Sequence, residues 1–234
     1  MIEIRDLSVH FGGVFALDSV TIQIGEDVAG IIGPNGAGKS TLINVLSGFV
    51  RPTRGQVLVE GTDLLSISPH QRARWGLARS FQKVQIVDDL RVDDHLQVVL
   101  DARQRTRHER EKTTRDVLDY VGLSGRADVP GSELNQFERR MTEIARCLAA
   151  APRVVLLDEP GGGLSETETA RLRSVIEGIR PHFGAQVLLI DHDVDLIRAV
   201  CGRTAVLDFG RLIAYGPTRT VLQDEQVKAA YLGR

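Results

Sequence analysis

Apolar residues in this chain fall into short β-branched runs set between stretches of helical spacing. Residues 2–9 alternate well enough to predict a strand, and 19–24 predict a second, followed by a turn at Gly25-Glu26-Asp27. Residues 28–32 form a compact apolar strand that stops at Gly33, and a helix is expected over 39–48. A further strand is expected at 56–60. From 66 to 150 helical periodicity dominates, which predicts a separate helical subdomain. Alternation then resumes with a strand at 154–157, a helix at 167–180, a strand at 187–190 and a helix at 194–200. Short strands at 204–208 and 211–215 flank Gly210, and a small helix carries Tyr231. Strands alternating with helices in this way imply an α/β protein.

Composition narrows the picture further. The 234 residues suffice for one large domain with a substantial insertion. The formal net charge of −2 argues against a polyanion binder, which would be strongly basic. The apolar runs fall far short of the roughly 18 residues needed to span a bilayer. The opening Met1-Ile2-Glu3-Ile4-Arg5 holds no leader-like apolar stretch, so a soluble cytoplasmic chain is expected. Cys147 and Cys201 stand alone and are expected to be two buried thiols. Between Arg103 and Asp116, six Lys/Arg interleave with three Asp/Glu and no aromatic residue, which predicts a solvated helix face and no nucleic-acid contact.

The strongest chemical signal is Gly33-Pro34-Asn35-Gly36-Ala37-Gly38-Lys39-Ser40, followed by Thr41, which fits G-x-x-x-x-G-K-[ST] between a predicted strand and a predicted helix. A nucleoside triphosphate concentrates negative charge and needs many fixed donors. Gly36 and Gly38 let the backbone curl until successive N–H groups point inward, and the helix N-terminus adds partial positive charge. Lys39 is expected to neutralise the β- and γ-phosphates of ATP, and the Ser40 hydroxyl to ligate Mg²⁺. Val154-Val155-Leu156-Leu157 then reads as a doubly buried parallel strand ending in Asp158-Glu159-Pro160. Asp158 is expected to hold Mg²⁺, usually through water, and Glu159 to polarise the attacking water.

Together with four further features, these motifs resemble the nucleotide-binding subunits of ABC transporters over essentially the whole chain. The resemblance implies a P-loop NTPase (RecA-like) α/β core over about 1–82 and 151–234, with an antiparallel β subdomain and an inserted α-helical subdomain over 83–150. It implies an ATPase. Gln82, in Ala78-Arg79-Ser80-Phe81-Gln82, looks like the glutamine that joins core to helical subdomain and completes the Mg²⁺ shell. His192, in Ile190-Asp191-His192-Asp193, looks like the switch histidine contacting the γ-phosphate and the attacking water. Phe11, before Gly12-Gly13, matches the aromatic that stacks on adenine, with Val14 and Ala16 beside it. Gly163-Leu164-Ser165 sits where the family meets its other protomer.

Narrower matches, including Arg79-Ser80-Phe81-Gln82, Gly163-Leu164-Ser165-Glu166-Thr167-Glu168-Thr169 and the terminal Ala230-Tyr231-Leu232-Gly233, are similar to importers of branched-chain and other hydrophobic amino acids. Urea and short-chain amide importers are close relatives of that group. The family's Leu-Ser-Gly-Gly-Gln signature is replaced here by Ser132-Glu133-Leu134-Asn135-Gln136-Phe137-Glu138, before Arg139-Arg140. Ungapped from that basic pair, Leu134 replaces the Ser and Asn135 and Gln136 the Gly pair; matching Leu134 to the family Leu requires a one-residue deletion. Either way the phosphate-facing Ser and Gly are lost, while Asn135 remains a good N-cap. The resemblance therefore implies a subunit on the inner membrane face. Its partners would be membrane permease subunits, a second ATP-binding subunit in a heterodimer and, indirectly, a solute-binding protein. A low-turnover regulatory subunit and a non-transport ATPase are the alternatives.

Overall fold

In the computed structural model, which describes residues 1–103 and 105–232, two sheets share one phosphate-loop helix. The strands are β1 (Ile2–Phe11), β2 (Val14–Ile24), β3 (Val28–Ile32), β4 (Arg54–Val59), β5 (Thr62–Asp63), β6 (Leu77–Arg79), β7 (Val154–Asp158), β8 (Gln186–Ile190), β9 (Arg203–Asp208) and β10 (Arg211–Pro217). A four-stranded sheet runs β2-β1-β4-β5, with every neighbouring pair antiparallel. A six-stranded sheet runs β10-β9-β3-β8-β7-β6, parallel except for the β10–β9 hairpin. Every residue of β3, β7 and β8 is buried, as strands covered on both faces must be.

The helices are α1 (Lys39–Ser47), α2 (Pro69–Trp75), α3 (Val92–Asp101), α4 (Arg107–Tyr120), α5 (Gln136–Ala149), α6 (Glu166–Phe183) and α7 (Val194–Val200). Short turns of helix follow at Thr218–Val221 and Glu225–Val227, and then Lys228–Leu232. Helix α1 starts at Gly38 and stops at Gly48, whose left-handed backbone lets its N–H reach the carbonyls of Asn44 and Val45. Helices α4, α5 and α6 open with capping boxes, Thr106 with Glu109, Asn135 with Glu138 and Ser165 with Glu168.

The six-stranded sheet separates two cores. On one side Ile31, Leu156, Leu188 and Leu207 pack with α1 and the antiparallel sheet, burying Ile2, Leu17, Ile43 and Val57. On the other, Ile32, Val155, Val187 and Val206 pack with the helices, burying Leu96, Leu118, Met141, Ile144 and Ile176. The alternating faces of each strand thus belong to different cores, which is why these strands read as unbroken apolar runs.

Two sequence expectations need correction. The stretch 66–150 is not helical throughout: β6 pairs parallel with β7, Leu77 to Val154 and Arg79 to Leu156, and so belongs to the core sheet. Three residues carry too little periodicity to be recognised, and the strand forms because Leu77 and Ala78 cover the edge of β7. The strand expected over 19–24 begins at Val14, because Phe11 and Val14 pair across a hairpin turn at Gly12-Gly13.

Within the charged run, residues from Arg107 onward form α4, with Arg107–Glu111 and Lys112–Asp116 pairs along its exposed face. Cys147 and Cys201 are buried and free, and burial pushes both thiols up to about 12. Among the described residues, no helix is long and apolar enough to cross a membrane. Gly233, which ends the Ala230–Gly233 motif, lies outside the described residues.

Candidate functional site

The loop between β3 and α1 curls over the carboxyl end of the parallel strands. Gly38 begins α1 at φ 104°, and a Cβ there would meet Ala16 O at 2.5 Å, so no other residue fits. The loop is tied to both sheets through the β9–β10 turn. Gly210 N donates to Ala37 O at 3.0 Å, and Asp18 N donates to Gly210 O at 2.9 Å. Lys39 is buried, and its Nζ donates to Gly33 O at 2.6 Å and Pro34 O at 2.9 Å. Burial lowers its ammonium below the usual range, while the carboxylates of Glu159 and Asp158 oppose that shift.

A cavity of about 450 Å³ opens in front of this loop, lined by Asn35, Gly36, Ala37, Gly38, Lys39, Ser40, Thr41 and Ala16 on one side and by Gln82, Glu159 and His192 on the other. These three come from separate segments: Gln82 follows β6, Glu159 follows β7 and His192 follows β8. The Glu159 carboxylate joins them. Its Oε2 accepts from the Gln82 amide at 2.7 Å, and its Oε1 lies 2.6 Å from His192 Nε2. Glu159 has left-handed backbone, φ 51°, held by its N–H to Ile190 O at 2.7 Å. That conformation costs a non-glycine residue about 1–2 kcal/mol, and it turns the chain sharply at the end of the strand.

Asp158 lies behind the cavity wall, buried, with Oδ2 accepting from Arg79 at 2.9 Å. Ser40 Oγ, the Asp158 carboxylate and the Gln82 amide oxygen offer hard oxygen donors, a set that fits Mg²⁺. The structure thus gathers Gly33 to Thr41, Gln82, Asp158, Glu159 and His192 into one region. It does not place Phe11 or Val14 in the cavity lining; both are exposed beside the hairpin turn, and Ala16 forms that end of the wall.

Three positioning contacts escaped sequence reasoning. Arg140, read in sequence only as part of a basic pair, and Glu143 form a buried pair at 3.0 Å on α5. Glu143 Oε1 accepts from Phe81 N, while Arg140 donates to the carbonyls of Phe81, Gln82 and Glu159, so the pair clamps the Gln82 loop to the end of β7. Burial raises the Glu143 carboxyl, opposed by these hydrogen bonds and by Arg140.

Asp191, also raised by burial, accepts from Gly161 N at 2.8 Å and Asp193 N at 2.9 Å, tying the His192 segment to the loop after Glu159. In the altered signature, Asn135 caps α5 and Gln136 Nε2 donates to Gly162 O at 3.0 Å. In sequence, the signal for Glu143 is an acidic residue set among the apolar positions Met141, Ile144 and Ala145.

The family profile described as "ABC transporter" matches residues 17–162. Over 249 aligned residues, covering 100% of this chain and 98% of the relative, the chain is 32% identical to the high-affinity branched-chain amino acid transport ATP-binding protein LivG of Escherichia coli (strain K12). It is 37% identical over 216 residues, 92% of this chain and 89% of the relative, to the lipopolysaccharide export system ATP-binding protein LptB of the same organism. Among solved structures, the ADP conformation of MJ1267, an ATP-binding cassette of an ABC transporter, superposes with a TM-score of 0.89 at 26% identity, covering 100% of this chain and 99% of that one.

Proposed function

Because this chain belongs to the ATP-binding subunits of ABC transporters and is an ATPase, we propose that it couples ATP hydrolysis at Glu159 to the uptake of branched-chain or other hydrophobic amino acids. The observation that carries the catalytic part is the meeting of Gln82, Glu159 and His192 on one face of the phosphate-loop cavity. The backbone N–H groups from Asn35 to Thr41 and the Lys39 ammonium hold the β- and γ-phosphates, and the start of α1 adds its dipole. Lys39 gives up its bonds to Gly33 O and Pro34 O to do so.

Ser40, Gln82 and Asp158 would hold Mg²⁺, which when bound would neutralise charge on the phosphates. Glu159 orients the attacking water through one carboxylate oxygen and takes up its proton. His192, hydrogen-bonded to the same carboxylate, reaches the γ-phosphate and the attacking water. Phe11 stacks on adenine from the hairpin, with Val14 beside it.

The full-length likeness to LivG supports amino-acid import, with urea or short amides as the alternative cargo. The likeness to LptB supports a second reading, in which the same ATPase drives export. In either case the chain sits on the inner membrane face through permease subunits. They dock at the groove of about 430 Å³ whose walls include Leu77, Ala78, Val99 and Cys147, next to the Gln82 loop. A solute-binding protein acts indirectly.

The altered signature favours a heterodimer. In a homodimer, Asn135 and Gln136 would face both ATPs. With a partner of intact signature, the site built on Lys39 and Glu159 is complete and the partner's phosphate loop faces the weak segment. One lost donor at a developing transition-state charge costs roughly 10²–10³ in rate. The test places the Glu→Gln change in each subunit of the reconstituted transporter. A much larger loss from Glu159→Gln than from the partner's change supports the reading, and equal losses refute it. Uptake of labelled leucine, urea or short amides by cells with and without the chain identifies the cargo.

A further inference from the structure

Arg79 stands outside the cavity lining yet reaches three parts of the nucleotide site. Its Nη2 donates to Asp158 Oδ2 at 2.9 Å, and its Nη1 donates to Asn44 Oδ1 at 2.7 Å and Ser47 Oγ at 3.2 Å on the phosphate-loop helix α1. The ion pair is well buried, with side-chain exposures of 10% for Arg79 and 7% for Asp158. The guanidinium carbon sits 4.8 Å from the Phe81 ring centroid and 5.7 Å from that of Phe49, so aromatic rings fix the plane of the group. Phe81 immediately precedes Gln82. A single side chain therefore links the helix behind the phosphate loop, the aspartate ending β7 and the segment that carries Gln82.

A buried carboxylate with a single polar partner takes its orientation from that partner. Arg79 occupies Oδ2 of Asp158 and leaves Oδ1 for a metal or its water. Lys39 is a second cation that Asp158 influences electrostatically, since its ammonium already feels this carboxylate. An Asp158–Lys39 pair would take both groups away from the metal and the phosphates. Arg79 supplies positive charge to Asp158 while keeping Lys39 available.

We infer that Arg79 is the positioning residue for Asp158, fixing which carboxylate oxygen faces the metal and so setting how much Mg²⁺ strengthens nucleotide binding. The inference rests on the reading of this site as an Mg-ATP site. Neither ATP nor Mg²⁺ needs to touch Arg79 for the effect. The two terminal nitrogens make every hydrogen bond, and Nε is buried without a partner, so a lysine, with a single charged nitrogen in place of two, recovers only part of the function.

The test is calorimetric titration of the whole chain with ATP, in excess Mg²⁺ and separately in EDTA, for wild type, Arg79→Gln, Arg79→Lys, Asp158→Asn and the Arg79→Gln/Asp158→Asn pair. Wild type binds more tightly in Mg²⁺. Arg79→Gln loses about tenfold or more of that gain, the scale of one charge-assisted contact, while its affinity in EDTA is unchanged. Arg79→Lys recovers part of the gain. The double variant loses no more than Asp158→Asn alone, as expected for residues acting as one unit.

A purely structural arginine would lower the melting temperature of Arg79→Gln and leave the Mg²⁺ gain intact, which overturns the inference, as does an additive loss in the double variant. If Arg79→Gln does not fold, the Arg79→Lys and Asp158→Asn comparison decides alone, and a full Mg²⁺ gain in Arg79→Lys overturns the inference. Absence of ATP binding by wild type in both buffers refutes the nucleotide reading itself and the inference with it.

Discussion

His192 Nε2 lies 2.6 Å from Oε1 of Glu159, although the two residues end different strands of the parallel sheet. The contact exists because β7 and β8 are neighbours in register, Asp158 beside Ile190, so that the residues beyond them project into the same space. The second oxygen of Glu159 is taken by Gln82, which follows β6 on the other side of β7. One carboxylate therefore senses both flanking loops, and a change at either alters how it presents itself to water.

Glu159→Gln is expected to keep ATP binding and to slow hydrolysis by roughly 10²–10⁴-fold, the scale of a positioned acid–base group. The amide still accepts from Gln82 but no longer takes a proton. His192→Ala is expected to lower turnover similarly. Single-turnover phosphate release in the assembled transporter measures both, and unchanged turnover in Glu159→Gln removes the residue from the chemistry.

Lys39→Ala removes the buried ammonium of the phosphate loop. A charge-assisted hydrogen bond contributes about 1.5–3 kcal/mol, so Mg-ATP affinity is expected to fall by roughly tenfold to a hundredfold. Calorimetry with circular dichroism on the same sample separates lost binding from lost fold. Undiminished affinity would show that the loop backbone alone carries the phosphates.

Glu143→Ala leaves Arg140 buried without its partner and removes the acceptor for Phe81 N. Breaking a buried pair from one side costs about 3–5 kcal/mol, and urea unfolding is expected to show a loss of that size. Hydrogen exchange at Phe81 should accelerate more than in α1, because the Gln82 loop loses its clamp. A loss below about 1 kcal/mol would place the pair among interactions that contribute little net stability.

Asp191 has its carboxyl raised by burial above the usual 3.8. A carboxyl raised in the folded state contributes stability that is complete below its unfolded pKa and is lost as pH rises through the folded value. Asp191→Asn removes this titration, so the variant's stability relative to wild type should improve as pH rises above the usual carboxylate value of 3.8. Denaturant midpoints at several pH values measure the slope. A parallel pair of curves would mean that Asp191 titrates alike in both states.

The sequence by itself determined the strand–loop–helix at Gly33–Ser40, the buried strand before Asp158-Glu159 and the alternation that makes the core an α/β sheet. These are local facts. Gly38 at the start of a helix, four apolar residues ending in two acids, and an asparagine capping α5 each follow from backbone sterics or periodicity within one short segment. The tertiary structure decided everything that depends on strand order.

Residues 77–79 join the core sheet because β7 lies next to them, which brings Arg79 to Asp158 and Gln82 to Glu159 across more than 70 positions of sequence. Likewise α5 lies where Arg140 and Glu143 grip the Gln82 loop, and its first residue, Gln136, reaches the loop after Glu159. Hydrogen bonds and ion pairs act over about 3 Å, so which of many polar side chains become partners is set by how the chain packs. The periodicity of any one segment holds no record of that packing.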